Sequence, residues 1–495
     1  MLTTSLFVTV TVIALPSLSV SSSSLTRLCS LILFSSAALS YHTSSGLESG
    51  ISLFSGLIQA SPLTMSIDLL LGTIGALAIL PWAPLKLAKG PLTSVFTLLP
   101  TNSYHALLAL FSVSGGSILV SSASLLSLYL GLEMQSFGVY VMAALYRDSE
   151  TATHAGLVYF LLGGLSSAFI LMGSASLYAG LGVMSLDEVY ALAGTSEQAG
   201  VILSVTILTA GLFFKVAAAP FHQWAPSVYD GVPTIITVWL QTMPKLSVLG
   251  LLAGMVGGLG TIASLMTVAV LSLTVGSVMG LSQTRIKPLL TYSTISHVGF
   301  MLLALATYDV EAMTWFVLYL AQYSFTSLAT LMVVLGFGYT LRGAGSALRT
   351  SHPHAHATDL ENLSELTGII TSQPMLCVGM AVLLFSMAGV PPFVGFIAKQ
   401  GILEASITAD CTGIAIVAIV ASAISASYYL KVVRLMVFTP QTASVIPGGG
   451  KVAAVPLTAV HTFSVSVTIL VVALWIALPS LILDSIRSLA LGLFV

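Results

Sequence analysis

Charge is what this sequence has least of. Only 15 of its 495 residues are Lys or Arg and 17 are Asp or Glu, 6 % in all, where a soluble globular domain carries about 25 %. A surface so poor in charge cannot keep a chain of this length dispersed in water, which excludes a string of ordinary soluble domains. Disorder is excluded as well, because disordered chains combine low hydrophobicity with high charge. A net charge of −2 leaves no footprint for nucleic acid. Cysteine is almost as scarce. Cys29, Cys377 and Cys411 are scattered without CxxC or metal spacing, so they read as small apolar residues and predict neither a disulfide framework nor a metal site. The short alternating segments of a β-barrel are missing too. Long apolar runs abound instead, with 56 % hydrophobic residues and a mean hydropathy of +1.03. The composition predicts an all-α polytopic membrane protein.

A spanning helix needs about 20 apolar residues. Candidate spans cover 2–20, 25–41, 64–80, 103–122, 124–146, 153–179, 200–219, 232–252, 257–279, 289–307, 311–338, 372–408, 411–431 and 453–480, fourteen in all. The first lacks a basic leading segment and reads as a span, not a cleaved signal peptide. The stretch 372–408 is too long for one straight helix and contains Pro391-Pro392, which predicts a broken span. Residues 48–62, weakly apolar and interrupted by glycine, predict a short hairpin or re-entrant piece. With fourteen spans, Arg27, Lys86, Lys89, Arg147, Arg285, Lys287, Arg342, Arg349, Lys431, Arg434 and Lys451 all fall in loops on one side, 11 of the 15 basic residues. The opposite loops hold Asp187, Glu188, Glu197, Asp309 and Glu311 and no Lys or Arg. Basic loops stay on the side from which insertion occurs, so that face is the matrix or cytoplasm and both termini lie opposite.

Arg487 belongs to the C-terminal tail, and three cations remain inside apolar segments: Lys215, Lys245 and Lys399. Each stands near a proline: Pro220, Pro244 and the Pro391-Pro392 pair respectively. Proline frees backbone carbonyls that must be satisfied inside the protein, and broken helices build polar sites at membrane depth. Burial disfavours an ammonium and a nearby carboxylate restores it, so the proton occupancy of such a lysine can switch. Snorkelling or a plain structural ion pair is the plainer reading. Glu133 is the acidic counterpart, near the middle of the fifth span, and Lys215 is its expected partner. His297, inside a span, is a candidate relay member rather than only a packed, hydrogen-bonded side chain. His222 lies where a broken helix meets a loop and is a candidate for proton uptake. His352, His354 and His356 read as solvated linker together with Asp359, Glu361 and Glu365. Asp68 reads as an interfacial residue.

The breaks at Pro220 and at Pro391-Pro392 fall in the seventh and twelfth spans, five apart. That offset predicts two inverted five-helix repeats with discontinuous helices 7 and 12. The chain then divides into a three-helix segment over 1–100, a first repeat over 101–255, a second over 256–440, and a last span with its tail over 441–495. Laying Glu133–Gly138 over Thr294–Gly299 aligns the glycines and sets Thr294 opposite Glu133.

These residues carry a family likeness. The chain resembles subunit 2 of respiratory complex I (NADH:ubiquinone oxidoreductase), one of its antiporter-like proton-pumping membrane subunits. The likeness rests on LGLEMQSF at Leu130–Phe137, FFKVAAAPFHQWAPSVYDGVP at Phe213–Pro233, MPKLS at Met243–Ser247, QTRIKPLLTYSTISHVGF at Gln283–Phe300 and SMAGVPPFVGFIAK at Ser386–Lys399. It extends over roughly residues 100–440, and the wording of Tyr229–Pro233 and of SASYYLK at Ser425–Lys431 looks more like fungal mitochondrial versions than bacterial ones. The resemblance implies that Glu133, Lys215, Lys245 and Lys399 lie on a hydrated proton-transfer axis. It implies a mitochondrial inner-membrane location with both termini on the intermembrane-space side. It also implies partnership with other membrane-arm subunits, including a neighbouring antiporter-like one, and with membrane lipids. No cofactor is expected on this chain; NADH, FMN, iron–sulfur clusters and ubiquinone are implied elsewhere in the complex. One departure is that bacterial members often carry a lysine in the sixth span, where this chain has His154 at the start. A proton step there must use His154, water or hydroxyls, or be absent. Ser227 also replaces a frequent aspartate of the family. The rival classes are an independent cation/proton antiporter, which would share broken helices and buried charges, and a purely structural scaffold, which leaves those charges unexplained.

Overall fold

Runs of apolar residues bounded by serine, glycine and proline become helices with defined ends. The computed structural model describes residues 1–15, 21–44, 46, 50–82, 104–146, 149–193, 199–342, 359–440, 457–474 and 479–491. Lys86, Lys89, Arg147, Glu197, Arg349, Lys451 and the histidines at 352, 354 and 356 lie outside the described residues.

The chain opens with α1 (Leu2–Ala14) and α2 (Ser22–Ser44), then a two-stranded hairpin of β1 (Ile51–Leu53) and β2 (Ile58–Ala60), and α3 (Pro62–Ile79). A second group comprises α4 (Tyr104–Val120), α5 (Leu125–Ala144), α6 (Glu150–Leu181), α7 (Leu186–Ala193), α8 (Ala199–Val216), α9 (Trp224–Gly231) and α10 (Thr234–Leu259). The third holds α11 (Ile262–Leu281), α12 (Ile286–Thr307), α13 (Val310–Arg342), α14 (Pro374–Ala388), α15 (Val394–Thr408) and α16 (Thr412–Val437). Finally come α17 (Ala459–Leu474) and α18 (Pro479–Leu491). Ten of the described helices are long and apolar enough to cross a membrane, and α1, α4, α14 and α17 are shorter apolar helices. The fold is a helical membrane bundle.

Local chemistry explains the ends. Ser61 and Thr64 form a reciprocal capping box at α3, and Ser124 and Ser127 do the same at α5. Gly182 and Gly389 close α6 and α14 in left-handed conformation, which glycine adopts without a Cβ penalty. The expected hairpin is present: Ile51 pairs with Ala60, Ser52 with Gln59 and Leu53 with Ile58. It extends into the α4–α5 turn through Gln59 N to Ser121 O at 2.8 Å and Ala123 N to Leu57 O at 3.1 Å. The all-α expectation is corrected to that extent.

Burial sorts the helices. Along their apolar windows α10 is 100 % buried and α12 and α13 are 94 % buried, whereas α2 and α16 are only 33 % buried and α6 and α11 39 %. Three enclosed helices therefore form a spine, and the peripheral ones present apolar flanks such as Leu157, Phe160 and Leu161 on α6. Two hairpins, α4–α5 and α11–α12, pack through glycine in the same way. A Cβ on Gly115 would lie 2.4 Å from Gln135 N, and one on Gly276 would lie 2.5 Å from Ser296 N. Gly138 abuts the backbone of Leu108 and the side chain of Ser112, and Gly299 abuts Ala269 and Leu273, at one constant sequence offset. Such close backbone approach requires small residues where helices associate without a hydrophobic driving force.

Candidate functional site

Prolines lie in turns between helices at two of three places. Helix α8 stops at Val216, and the chain turns through Pro220 before α9 begins at Trp224. The carbonyl of Phe214, in the last turn of α8, accepts the Trp224 indole N–H at 3.0 Å, and Ala219 N donates to Ser272 Oγ at 2.9 Å. Helices α14 and α15 are separated by a turn that holds Pro391 and Pro392. Its geometry leaves no side chain at 395: a Cβ on Gly395 would sit 1.8 Å from Ser386 O. Pro244 is a correction, because α10 continues through it without interruption. The carbonyl that its missing N–H abandons, that of Leu240, lies within reach of the Tyr229 hydroxyl, 3.3 Å away. An outside donor thus replaces the lost helix bond, and no break is needed.

Lys215, Lys245 and Lys399 are each held by neutral oxygens. Lys215 Nζ donates to Tyr140 OH at 2.9 Å, to Ser136 Oγ and Ser167 Oγ at 3.0 Å each, and to Gly163 O at 3.4 Å. Lys245, only 1 % exposed on α10, donates to Thr294 Oγ1 of α12 at 2.8 Å, with its ammonium 5.6 Å from the Tyr229 ring centre. Lys399 donates to Met387 O at 2.7 Å and to Ala388 O at 3.2 Å, two carbonyls at the end of α14 that the break leaves unpaired. It also lies 5.3 Å from the centre of the Phe300 ring. Glu133 sits on α5 one turn before Ser136 and two before Tyr140, on the flank that also bears exposed Leu130 and Phe137. The expected direct pairing of Glu133 with Lys215 is not formed. The lysine is taken up by hydroxyls, and Glu133 Oε1 is buried without a hydrogen-bond partner.

His297 on α12 bridges two tyrosines, with Nδ1 2.6 Å from Tyr319 OH and Nε2 3.1 Å from Tyr429 OH. Tyr429 also bonds Ser293, and the Tyr323 ring lies 5.5 Å from the imidazole. His222 stands in the α8–α9 turn beside the Tyr292 ring, with Nδ1 buried and unpartnered. His154 is exposed early in α6.

A second set of charges went unnoticed in the sequence. Lys287, assigned there to a basic loop, is 4 % exposed and pairs with Asp359 at 2.7 Å. Asp359 was expected in solvated linker. It is 5 % exposed, and its Oδ2 accepts the Thr234 N–H at the start of α10 at 2.8 Å. Lys287 also donates to Val232 O at 2.9 Å. Outside this pair Arg285 bonds Asp230 and reaches Glu361 at 3.2 Å. The tyrosines around His297 and the hydroxyls around Lys215 were missed too. Helical spacing from Glu133 would have found Ser136 and Tyr140.

The enclosed helices and their flanks thus contain ionisable groups surrounded by hydroxyls and carbonyls, and the bundle is that of a membrane-embedded antiporter-type subunit. Residues 122–425 match the profile of the NADH:quinone oxidoreductase/Mrp antiporter transmembrane family, and the chain belongs to that family. Within it, the chain is 42 % identical to NADH-ubiquinone oxidoreductase chain 2 of Rhizopus oryzae over 86 % of this chain and 84 % of that one. It is 34 % identical to NADH-quinone oxidoreductase subunit N of Rhodospirillum rubrum, over 78 % and 76 % of the two chains. Among solved structures, a chain of respiratory complex I from Thermus thermophilus with bound aureothin superimposes with a TM-score of 0.76 at 25 % identity, covering 98 % of this chain and 99 % of that one. A chain of the Mrp complex from Dietzia shares the fold at 16 % identity and a TM-score of 0.77, covering 98 % and 95 %.

Proposed function

We propose that this chain is the chain 2 subunit of a proton-translocating NADH:ubiquinone oxidoreductase, a multi-pass protein of the mitochondrial inner membrane. It moves protons along Glu133, Lys215, Lys245, the His297 region and Lys399 while redox chemistry proceeds elsewhere in the complex. NADH, FMN, iron–sulfur clusters and ubiquinone belong to that other part; this chain binds none of them. Its neighbours are further membrane-arm subunits, one of them antiporter-like, and lipids.

One observation carries the reading. Among the described residues, the three lysines of the row have only neutral oxygen partners, and Glu133 has no ion-pair partner. Buried Lys287, by contrast, is locked to a carboxylate. A buried charge without a counter-ion is costly and is retained where it has a task, whereas a closed pair serves structure. A change in the Glu133–Lys215 interaction, driven from the redox side, alters the tendency of Lys215 to release its proton toward Lys245 and onward. Hydroxyls and waters bridge the intervals.

The finer architecture belongs to the same proposal: fourteen spans, two inverted five-helix repeats, discontinuous helices 7 and 12, and both termini on the intermembrane-space side. The equivalent glycine contacts of α4–α5 and α11–α12 support the repeat. So does Thr294, the counterpart of Glu133, which receives Lys245 across the junction of the two units. His222 and His154 are candidates for uptake from the basic face. The test is Glu133→Gln and Lys215→Ala, each in a fully assembled complex reconstituted in vesicles. The expected result is fewer protons moved per electron; an unchanged ratio in both would refute the axis.

A further inference from the structure

Helix α17 is fastened to the bundle along one face. His461 and Ser464 turn toward α13, where His461 Nε2 lies 3.1 Å from Met332 O and Ser464 Oγ meets Met332 Sδ at 3.7 Å. Between α17 and α2 the surface opens into a groove of about 410 Å³. Arg27 and Leu31 of α2, Leu80 just past the end of α3, and Ala459, Val460 and Phe463 of α17 line it. None of these residues belongs to the row of buried lysines.

The groove changes character along its length. Both α2 and α17 start at the end of the bundle that bears the basic loops, so one turn along either helix moves about 6 Å into the bilayer. On α2 that turn leads from Arg27 to Leu31, and on α17 it leads from Ala459 to Phe463. Leu31 is 68 % exposed and Phe463 58 %, two large apolar side chains left open among the described residues. The outer end is positive and unopposed. Arg27 is exposed, and the ion pairs among the described residues involve Arg285, Lys287 and Arg487 instead. The stretches that supply the walls, 1–47, 69–132 and 411–483, contain no Asp or Glu at all. Ala459 and Val460 add first-turn N–H groups, which have no acceptor inside the helix and favour an anion.

A cation at headgroup depth above an apolar slot selects among ligands. A soluble anion gains from Arg27 but not from Leu31 and Phe463, and a plain hydrocarbon leaves the guanidinium unmatched. A zwitterionic headgroup brings its own cation beside Arg27, where this chain offers no carboxylate to receive it. We propose that the groove binds an anionic phospholipid of the matrix-side leaflet, with its phosphate on Arg27 and one acyl chain between Leu31 and Phe463, and that this lipid ties the last span to the first segment. The site depends on the orientation that puts the basic loops on the matrix side and is independent of the proton axis.

The test is photolabelling of the assembled complex in vesicles, with phosphatidylglycerol or phosphatidylcholine carrying a diazirine on one acyl chain and loaded into one leaflet at a time. Labelled peptides are read by mass spectrometry. Residues 27–34 and 459–466 are expected to capture the phosphatidylglycerol probe about tenfold over the phosphatidylcholine probe, the worth of roughly one charge-assisted hydrogen bond. Arg27→Gln should remove that preference. Arg434→Gln, which deletes an equally exposed charge at the end of α16, should leave it intact. Equal capture of the two headgroups in the parent, or a preference that survives Arg27→Gln, overturns the proposal. So does competition by inorganic phosphate as effective as that by unlabelled phosphatidylglycerol, which would assign Arg27 to a soluble anion. An anionic preference seen only from the intermembrane-space leaflet overturns the orientation and the leaflet assigned here, while headgroup selectivity at the groove stands. If Arg27→Gln does not assemble, competition in the parent decides: unlabelled phosphatidylglycerol should displace the probe and unlabelled phosphatidylcholine should not, and equal displacement refutes the site.

Discussion

Removing the charge at either end of the buried Lys287–Asp359 pair should loosen the start of α10, and removing both should do far less harm. Asp359→Asn keeps an acceptor for the Thr234 N–H but strands the Lys287 ammonium. Lys287→Met takes the buried ammonium away from the Asp359 carboxylate. Breaking one partner of a buried pair costs about 3–5 kcal/mol, because a lone charge stays in a poorly solvating site. Asparagine and aspartate cap helices about equally well, so the cap at Thr234 contributes little to the difference. The lost Lys287 bond to Val232 O is common to Lys287→Met and the double variant, and so cancels in a double-mutant cycle. What remains is the charge–charge coupling, for which we expect at least about 2 kcal/mol, or roughly a thirtyfold ratio of opening constants. Hydrogen exchange of the amides of residues 234–241, read by mass spectrometry in the assembled complex, reports that local opening directly. Faster exchange in each single variant and near-parent exchange in the double is the expected pattern. Effects that add to within about 0.5 kcal/mol would show that the pair is not a coupled unit.

Three other outcomes follow from the same geometry. Gly395→Ala should abolish assembly on a native gel, because its Cβ would meet Ser386 O at 1.8 Å, while Gly413→Ala, with nothing within 4 Å of the added atom, should assemble normally. Tyr229→Phe should remove the donor to Leu240 O opposite Pro244, costing about 1–3 kcal/mol for an unsatisfied buried carbonyl and shortening the thermal half-life of the complex; an unaltered half-life would show that α10 tolerates the proline unaided. Trp224→Phe should keep the stacking on Tyr159 and Phe214 but lose the 3.0 Å bond to Phe214 O. The end of α8 should then exchange its amides several-fold faster, and parent-like protection there would contradict the role assigned to the indole.

The bundle was readable because one property dominated. Charge is so rare that apolar runs separate cleanly, and each interior lysine stands out against them. Turns at Pro220 and Pro391-Pro392 are local features, because proline acts on its own backbone. Pro244 was misread because its rescue comes from Tyr229, fifteen positions earlier on another helix, and nothing in the local sequence announces that donor. Lys287 was misassigned for a similar reason. Its partner Asp359 lies 72 positions away, in what reads as solvated loop, so the apparent segregation of charge by loop concealed a buried pair. The Glu133–Lys215 contact was overdrawn because opposite charges in apolar spans suggest direct pairing, whereas Tyr140, Ser136 and Ser167 are neutral and attract no notice in a count of charges. Partner choice is a property of packing, and packing is where sequence periodicity carries least.

The central claim is that unpaired lysines inside this bundle carry protons. Lys245, bound only to Thr294 on the enclosed helices, is the most exacting place to test it. The measurement is the number of protons moved per NADH oxidised by a fully assembled Lys245→Met complex in sealed vesicles. The account predicts a ratio below that of the parent with assembly intact, and a parent-like ratio would contradict it.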